Sequence, residues 1–208
     1  MLRIAVTKGR IEKNVYELMK KTGFDVSSIE NKNRELLIRT KDNIEMIFVK
    51  ANDVLTYIEK GIVDMGVVGK DTLEESDFED YDEILDLNIG KCYFALASFK
   101  EYKEKALKGR KKIATKYPNI AKKYFKNIGE DVEIVKLDGS VELAPIVGIA
   151  DGIVDIVETG DTLKANGLIV IDKICDISTR LITNKVSLKY KSDEIYQIVD
   201  KFQKVIGG

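Results

Sequence analysis

Hydrophobic and polar positions along the chain follow two periods, with short apolar runs taking turns with amphipathic stretches. From Ile11 to Thr22 the large apolar residues recur at helical spacing and stop at Gly23, which predicts a helix. Leu2 to Thr7 and Cys92 to Ser98 are apolar runs of strand length, as expected for buried strands. Because such strands alternate with helices throughout, the pattern predicts an α/β protein with mainly parallel sheets.

The other predicted elements rest on the same patterns. Further strands are predicted at residues 36–40, 44–49, 62–68, 84–89, 111–114, 132–137, 152–157, 168–172 and 180–183. Helices are predicted at residues 53–60, 101–107, 117–127 and 193–206, and another is expected to open at Ser140. Ser192 is expected to cap the last helix, and residues 41–43 to form a hairpin-like turn.

A short sequence occurs twice in the chain. Gly61-Ile62-Val63-Asp64 returns as Gly152-Ile153-Val154-Asp155, and each copy has a second glycine eight residues after its first, at Gly69 and Gly160. The repeat predicts two lobes of similar plan that face each other across a cleft. With crossings near residues 90–91 and 172–173, lobe I comprises residues 1–90 and 173–208, and lobe II comprises residues 91–172.

Composition restricts the chemistry and the partners. The 208 residues carry a net charge of −1, which predicts no general nucleic-acid-binding field. No apolar run approaches the ~20 residues that span a bilayer, and the N-terminus lacks a signal peptide's apolar region, so we expect a cytoplasmic location without a membrane partner. The chain has no histidine, which excludes an imidazole base and imidazole metal ligands. Any metal is therefore expected to be Mg²⁺, held by oxygens and arriving with a substrate.

The most informative stretch follows the predicted strand at residues 152–157. Glu158, Thr159, Gly160, Asp161 and Thr162 lead into a helix start, where free backbone N–H groups and two hydroxyls meet at one point. Such an arrangement suits a phosphate group. The alternative is that the two threonines only cap the helix.

A carboxylate inside the preceding apolar strand also needs an explanation. Asp155 is costly to bury unless its charge is paired or hydrogen-bonded. It could bond ribose hydroxyls, or it could bond only a neighbouring backbone N–H group.

Three further clusters lie at predicted strand ends, where ligands of open α/β sheets bind. They are Lys8-Gly9-Arg10, Gly69-Lys70-Asp71 and Thr115-Lys116-Tyr117. The first suits a polyphosphate, or is simply a solvated basic turn. Tyr117 could stack on a base or belong to the core. These residues favour two phosphate-bearing ligands, one per lobe, without naming a reaction.

Taken together and in this order, the segments resemble the short form of ATP phosphoribosyltransferase, the first enzyme of histidine biosynthesis. The resemblance runs nearly end to end, and its marks are residues 8–10, 64–71, 89–92, 114–119, 137–145 and 150–168. It implies a two-lobed fold like that of the type II periplasmic binding proteins. It also implies a pentosyltransferase that joins N1 of ATP to C1 of phosphoribosyl pyrophosphate (PRPP) and releases pyrophosphate in the presence of Mg²⁺.

The resemblance implies a role for each cluster. The loop formed by Glu158, Thr159, Gly160, Asp161, Thr162 and Leu163 is expected to hold the 5-phosphate of PRPP. Glu142 and Asp155 are the expected catalytic residues near the ribose. The ATP and pyrophosphate side is expected to comprise Lys8, Gly9, Arg10, Lys50, Gly69, Lys70, Asp71, Lys116 and Tyr117.

The resemblance also implies a partner. Short-form relatives depend on a regulatory subunit that resembles histidyl-tRNA synthetase. We expect no regulatory domain of the long form, because only one predicted helix follows the last predicted strand. We therefore expect that partner, and a homodimer within a hetero-oligomer.

The chain departs from the family pattern at two places. Where the family usually has Arg-x-Arg-Asp-Ile-Pro, this chain runs from Lys50 to Leu55 with Asn52 at the second arginine position, so the bidentate arginine forks are missing. Asp161 places a negative charge beside the expected phosphate, which is unfavourable unless its side chain points away or meets Mg²⁺. Two other hypotheses are a two-lobed solute-binding module, disfavoured because such modules are usually exported, and a paralogue that has lost activity.

Overall fold

A computed structural model describes residues 1–102 and 109–207, which contain eleven strands and nine helices. In chain order these are β1 (Leu2–Thr7), α1 (Arg10–Lys21), α2 (Ser27–Glu30), β2 (Leu37–Arg39), β3 (Ile44–Val49), α3 (Ala51–Glu59), β4 (Met65–Gly69), α4 (Lys70–Glu75), β5 (Asp82–Asp86), β6 (Cys92–Ser98), β7 (Lys111–Thr115), α5 (Pro118–Asn127), β8 (Val132–Lys136), α6 (Leu143–Ile146), β9 (Gly152–Val157), α7 (Asp161–Ala165), β10 (Ile169–Ile177), β11 (Thr179–Thr183), α8 (Lys185–Tyr190) and α9 (Ser192–Ile206). In these residues, no helix has the length and apolar character that crossing a membrane requires.

The chain divides into two units, Met1–Gly90 with Ser178–Gly208, and Lys91–Ile177. The sequence places the return crossing at residues 172–173, but these residues lie inside β10. That strand continues to Ile177 because it pairs with β6 along its length. The crossing back to the first unit therefore lies five residues later than the sequence predicts.

In the first unit, six strands form one sheet in the order β2-β3-β1-β4-β11-β5. β1 pairs in parallel with both β3 and β4, and its residues from Ile4 to Val6 are buried. The amphipathic helix α1 turns Val15, Leu18 and Met19 towards this sheet's core, where α9 contributes Phe202. The apolar periodicity of both helices is thus explained by one shared core.

In the second unit, five strands form a sheet in the order β10-β6-β9-β7-β8. β7 pairs in parallel with β8 and β9, whereas β6 runs antiparallel to β9 and β10. The central strand β9 buries Ile153 and Val154 completely. Both sides of this sheet are therefore covered, which explains why β9 reads as a continuous apolar run.

The two sheets share one strand plan, but they are mixed rather than mainly parallel. Four of the nine strand pairs in the described residues are parallel and five are antiparallel. In the first sheet β11 pairs antiparallel with β4, and in the second sheet β6 pairs antiparallel with β9. Each of these strands lies beside the last of three adjacent parallel strands. The α/β alternation predicts the parallel strands, but it does not predict these two antiparallel ones.

The structure confirms a repeat of plan and corrects its residue pairing. Asp64 donates its N–H to the Arg3 carbonyl oxygen and accepts from the Arg3 N–H; Asp151 does the same with Lys112. Asp64 therefore corresponds to Asp151, four residues before the Asp155 that the sequence repeat pairs with it. In the first unit α4 follows β4 directly, whereas in the second unit three residues, Glu158, Thr159 and Gly160, lie between β9 and α7 and form the turn that precedes that helix.

Other local differences have simple causes. The helix expected to open at Ser140 is only α6, because Ser140 has a φ of 46° that a helix does not allow. Ser192 is the first residue of α9 and makes no capping bond, since Lys191 is the N-cap. β4 begins at Met65 rather than residue 62, because Gly61 turns the chain with a φ of 63°. The helix expected at residues 101–107 lies largely outside the described residues.

Candidate functional site

A pocket of about 380 Å³ opens in the second unit beyond the carboxyl end of β9. Its lining residues are Glu142, Asp155, Ile156, Val157, Glu158, Thr159, Gly160, Asp161, Thr162 and Leu163. The fold thus brings together every residue that the sequence assigns to catalysis or to PRPP. The sequence does not assign Ile156 and Val157, although their place at the end of an apolar strand could have indicated them.

The turn that forms this pocket depends on one glycine. Gly160 is the N-cap of α7 and has a φ of 82°, a left-handed conformation that favours glycine. Leu163 is only 8% exposed and anchors the short helix in the core of the unit. The helix α7 therefore begins at a fixed turn, and its first backbone N–H groups have no carbonyl acceptor within the helix.

The two threonines of the turn have different surroundings. Thr159 donates its hydroxyl to Asp161 Oδ2 at 2.7 Å and accepts a long bond of 3.4 Å from the Asp161 N–H. Thr162 is exposed, and its hydroxyl has no hydrogen-bond partner among the described residues. Thr159 therefore makes a local turn bond of the kind that the capping alternative expects, whereas Thr162 does not.

Asp155 is half-buried in β9, and its environment disfavours its charge. Burial raises the pKa of the Asp155 carboxyl, and the nearby Glu142 carboxylate raises it further. A hydrogen bond from the Ile156 backbone N–H and the charge of Lys116 act in the opposite direction but are weaker. The hydrogen bond from a neighbouring backbone N–H group, which was one of the two expectations for Asp155, is present. It does not offset the rise in pKa that burial causes.

The charge of the pocket lining is uniformly acidic. Glu142, Asp155, Glu158 and Asp161 contribute carboxylates, and the lining, all of it within the described residues, includes no lysine or arginine. An anionic group in this pocket therefore has backbone N–H groups and hydroxyls as its donors. Any further positive charge comes from outside the lining.

Lys116 and Tyr117, which the sequence assigns to the ATP side, lie in the second unit at the end of β7. β7 is paired with β9, so this segment ends beside the pocket. Tyr117 packs edge-on against Phe94 with ring centroids 4.9 Å apart and is half-buried. This contact supports the core alternative for the tyrosine, whereas Lys116 is exposed.

In the first unit, three predicted clusters share one edge of the sheet. Lys8-Gly9-Arg10 follows β1, Lys50 follows β3, and Gly69-Lys70-Asp71 spans the end of β4. Since these strands are adjacent and parallel, their carboxyl ends lie side by side. Gly9 is the N-cap of α1 with a φ of 90°, and the flanking cations and Lys50 are exposed.

Lys70 differs from these cations because carboxylates already contact it. Its Nζ atom lies 2.6 Å from Glu83 Oε2 and 3.4 Å from Glu74 Oε1. Partial burial lowers the pKa of Lys70, but the two glutamates outweigh it and the net shift is upward. The sequence gives no sign of Glu83, because it lies on β5, two strands from β4 in the sheet.

Two of the positions that depart from the family pattern line a separate pocket. Asn52 and Leu55 of α3 face a cavity of about 320 Å³ in the first unit, together with Thr72, Ser76 and Phe78. Asn52 is exposed at the start of the helix. Asn52 therefore lines this pocket, whereas Lys50 directly follows the end of β3 at the sheet edge.

The acidic side chains also bear on metal binding. Within residues 1–102 and 109–207, no group of three or more cysteine, aspartate or glutamate side chains is arranged to hold a metal ion. The four carboxylates of the second unit's pocket do not form such a group.

Comparison with known proteins identifies the family. The ATP phosphoribosyltransferase family model matches residues 50–204. An ATP phosphoribosyltransferase from Lactococcus lactis subsp. cremoris is 57% identical over 203 residues, covering 98% of both chains. One from Clostridium botulinum is 53% identical over 208 residues, covering 99% of this chain and 98% of the relative.

Solved structures agree with this result. The ATP phosphoribosyl transferase (HisG:HisZ) complex from Thermotoga maritima contains a chain that matches with a TM-score of 0.80 and 37% identity, covering 100% of this chain and 99% of that one. The periplasmic aliphatic sulphonate binding protein of Escherichia coli matches with a TM-score of 0.62 at 12% identity, covering 99% of this chain and 72% of that one, which shows the fold alone. The expected α/β fold of the type II periplasmic-binding-protein kind is confirmed, and the chain belongs to the ATP phosphoribosyltransferase family.

Proposed function

We propose that this chain is the catalytic subunit that joins N1 of ATP to C1 of PRPP, and that the pocket of the second unit takes the phosphoribosyl group. The family assigns the reaction, which gives phosphoribosyl-ATP and pyrophosphate and is the first step of histidine biosynthesis. The observation that supports the location is the convergence of Glu142, Asp155 and the Glu158–Leu163 loop on one cavity.

In this proposal the 5-phosphate of PRPP is held by the turn around Gly160. The lining offers no lysine or arginine, so the phosphate oxygens accept from backbone N–H groups and from the Thr162 hydroxyl. Asp161 is turned towards Thr159 by their 2.7 Å hydrogen bond. That bond supports the idea that Asp161 is compatible with a phosphate because its carboxylate has a partner within the loop.

The two inner carboxylates are proposed to act on the ribose. As pyrophosphate departs, C1 of the ribose gains positive character, and fixed carboxylates stabilise that charge. Asp155 suits this role because burial makes its negative charge costly in the empty pocket and more favourable beside a developing cation. Adenine N1 already has a lone pair, so the attack needs no imidazole base, in accord with a chain without histidine.

The first unit is proposed to bind ATP and pyrophosphate. Lys8, Gly9, Arg10, Lys50 and the Gly69–Asp71 turn lie along one sheet edge, as expected for a polyphosphate-binding edge. Lys116 of the second unit is proposed to act on the same substrates. Tyr117 is retained as a contact of this region, although its ring is packed on Phe94.

Mg²⁺ is proposed to enter as part of the substrate, bound to pyrophosphate oxygens. We also propose a regulatory subunit resembling histidyl-tRNA synthetase, a homodimer of this chain within the hetero-oligomer, and a cytoplasmic location where ATP and PRPP are available. The solved relative from Thermotoga maritima is itself a HisG:HisZ complex.

The function is tested by mixing the chain with ATP, PRPP and Mg²⁺, with and without the regulatory subunit. The expected result is phosphoribosyl-ATP, detected by chromatography and ultraviolet absorbance, with much faster formation when the subunit is present. Co-elution of the two proteins on size exclusion tests the assembly. No product in the presence of both proteins would contradict the proposed reaction.

Replacing Thr162 by alanine tests the phosphate site. We expect the KM for PRPP to rise about tenfold, because loss of one hydrogen bond to a charged group costs on the order of 1.5 kcal/mol. The melting temperature is expected to stay unchanged, since the hydroxyl has no partner in the described residues. Steady-state kinetics and differential scanning fluorimetry measure the two quantities.

Thr159→Ala is the matched control for this prediction. Unlike Thr162→Ala, this variant is expected to have a lower melting temperature, because it removes the local hydrogen bonds between Thr159 and Asp161. If Thr162→Ala lowered the melting temperature and left the KM for PRPP unchanged, Thr162 would have a structural role and the proposed phosphate site would be wrong.

A further inference from the structure

The ammonium of Lys70 is held by carboxylates from two different elements of the first unit. Glu74, at 3.4 Å, is four residues further along the same short helix, α4. Glu83, at 2.6 Å, comes from β5, which is separated from β4 by β11. The Lys70 side chain is held by these contacts and is 26% exposed.

The other oxygen of Glu83 faces a second cation. Its Oε1 atom lies at an ion-pair distance of 3.4 Å from Nε of Arg180, which makes no hydrogen bond within the described residues, and Nη1 of Arg180 lies 2.5 Å from Asp86 Oδ2. Ser178 donates its hydroxyl to Asp86 Oδ1 at 2.7 Å, and its carbonyl oxygen accepts the Lys70 N–H at 3.0 Å. Lys70, Glu83, Arg180, Asp86 and Ser178 thus form a closed ring of contacts that joins the start of α4, the start of β11 with the residue before it, and β5.

This ring fixes both ends of Lys70. The backbone N–H is bonded to Ser178, the residue before β11, while the ammonium is paired with Glu83 of β5. A lysine has a flexible four-carbon stem, which normally costs entropy when the ammonium is placed. An ammonium also has three N–H donors, and Glu74 and Glu83 can occupy two of them.

We propose that Glu83 is a positioning residue that holds the Lys70 ammonium at the carboxyl end of β4, with its third N–H donor directed to a polyphosphate oxygen of ATP or pyrophosphate. The inference rests on the proposed function, which places Lys70 on the ATP and pyrophosphate side. Holding the cation before the ligand arrives reduces the ordering cost of binding. Glu83 acts only through Lys70 and touches no substrate.

Glu83→Gln tests this role, because glutamine keeps the size of the side chain and removes its charge. With the regulatory subunit present, the KM for ATP is expected to rise about fivefold, the size of a partly exposed ion-pair effect, while kcat changes little. The inhibition constant of pyrophosphate is expected to weaken by the same factor. The double variant Lys70→Ala/Glu83→Gln is expected to match Lys70→Ala alone, since Glu83 has no effect without the ammonium.

Asp80→Asn is the control, because it breaks an exposed 3.0 Å ion pair with Lys185 in the same unit and should leave the KM for ATP unchanged. The positioning role would be overturned if the effects of Lys70→Ala and Glu83→Gln were additive. It would also be overturned if Glu83→Gln left the KM for ATP unchanged, or if it changed only the melting temperature. A lower KM in Glu83→Gln would also overturn it, since Glu83 would then compete with the nucleotide for Lys70. If the wild-type chain and the regulatory subunit together formed no phosphoribosyl-ATP, that separate result would contradict the proposed function itself.

Discussion

Replacing Asp155 by asparagine is expected to lower kcat by about two orders of magnitude while making the protein more stable. The loss of activity follows because a fixed charge near C1 of the ribose is worth roughly 3 kcal/mol in the transition state, the size measured for single electrostatic groups in other enzymes. The rate of phosphoribosyl-ATP formation, measured with saturating ATP and PRPP, tests this part of the prediction.

The gain in stability follows from the environment of the same carboxyl. Burial first and Glu142 second raise the pKa of Asp155 in the folded protein above its ordinary value of 3.8. The folded state therefore binds the proton more tightly, and the unfolding free energy of the wild type falls as the pH rises from 3.8 through the higher folded pKa. The asparagine side chain of the variant carries no charge, so the variant is expected to lack this loss and to gain on the order of 1 kcal/mol at neutral pH.

Urea unfolding of both proteins across the acidic range measures this difference. Asp176→Asn is a matched control, because Asp176 is an exposed carboxylate of the same unit that is paired with Lys173 at 2.6 Å. That variant should change neither kcat nor stability by a large amount. An Asp155→Asn protein that is less stable at neutral pH and fully active would show that Asp155 is only a structural residue of β9.

Replacing Asp64 by alanine is expected to destabilise the first unit by about 3 kcal/mol, the cost of removing one member of a buried charged network. Asp64 is 7% exposed, and its carboxylate accepts from the Arg3 N–H at 2.9 Å, the Ser187 hydroxyl at 2.7 Å and the Lys191 ammonium at 2.8 Å. It therefore ties the first strand to α8 and to Lys191, the residue after that helix, and its loss leaves all three donors without this acceptor.

The effect of Asp64 is expected to depend on pH in the opposite sense to that of Asp155. Burial raises the pKa of Asp64, but bonds from Lys191, the Arg3 backbone and Ser187 outweigh it and leave the pKa below 3.8. The stability that the carboxylate contributes is then fully present above pH 3.8 and is lost as the pH falls through the folded pKa. The gap between wild type and Asp64→Ala should narrow at the acid end.

Urea unfolding followed by circular dichroism at neutral and acidic pH measures both parts of this prediction. Asp80→Ala removes only the exposed pair with Lys185 and is expected to cost less than about 1 kcal/mol. Equal losses in the two variants would show that the buried bonds of Asp64 contribute no more than a surface pair.

Gly160 and its neighbours show how much of the site follows from sequence alone. The order strand, Thr-Gly-x-Thr and helix predicts a turn with free N–H groups, and the structure contains that turn. These features depend on residues within a few positions of one another, because glycine permits a left-handed φ and an apolar run of strand length becomes a buried strand. The same local rules predict β1, β3 and β6 with the bounds that the structure has.

Glu83 and Asp64 show what only the tertiary structure decided. Glu83 lies close to Lys70 because the sheet order β4-β11-β5 places β5 two strands from β4. Asp64 contacts Lys191 because α9, which Lys191 precedes, packs on the sheet of the first unit. The sequence repeat likewise pairs Asp64 with Asp155, whereas the strand register pairs it with Asp151. The periodicity of apolar residues indicates which face of a helix or strand is buried, but it does not indicate which distant element covers that face. The pairing of strands, and with it the partner of each buried charge, is settled only when the whole core is packed.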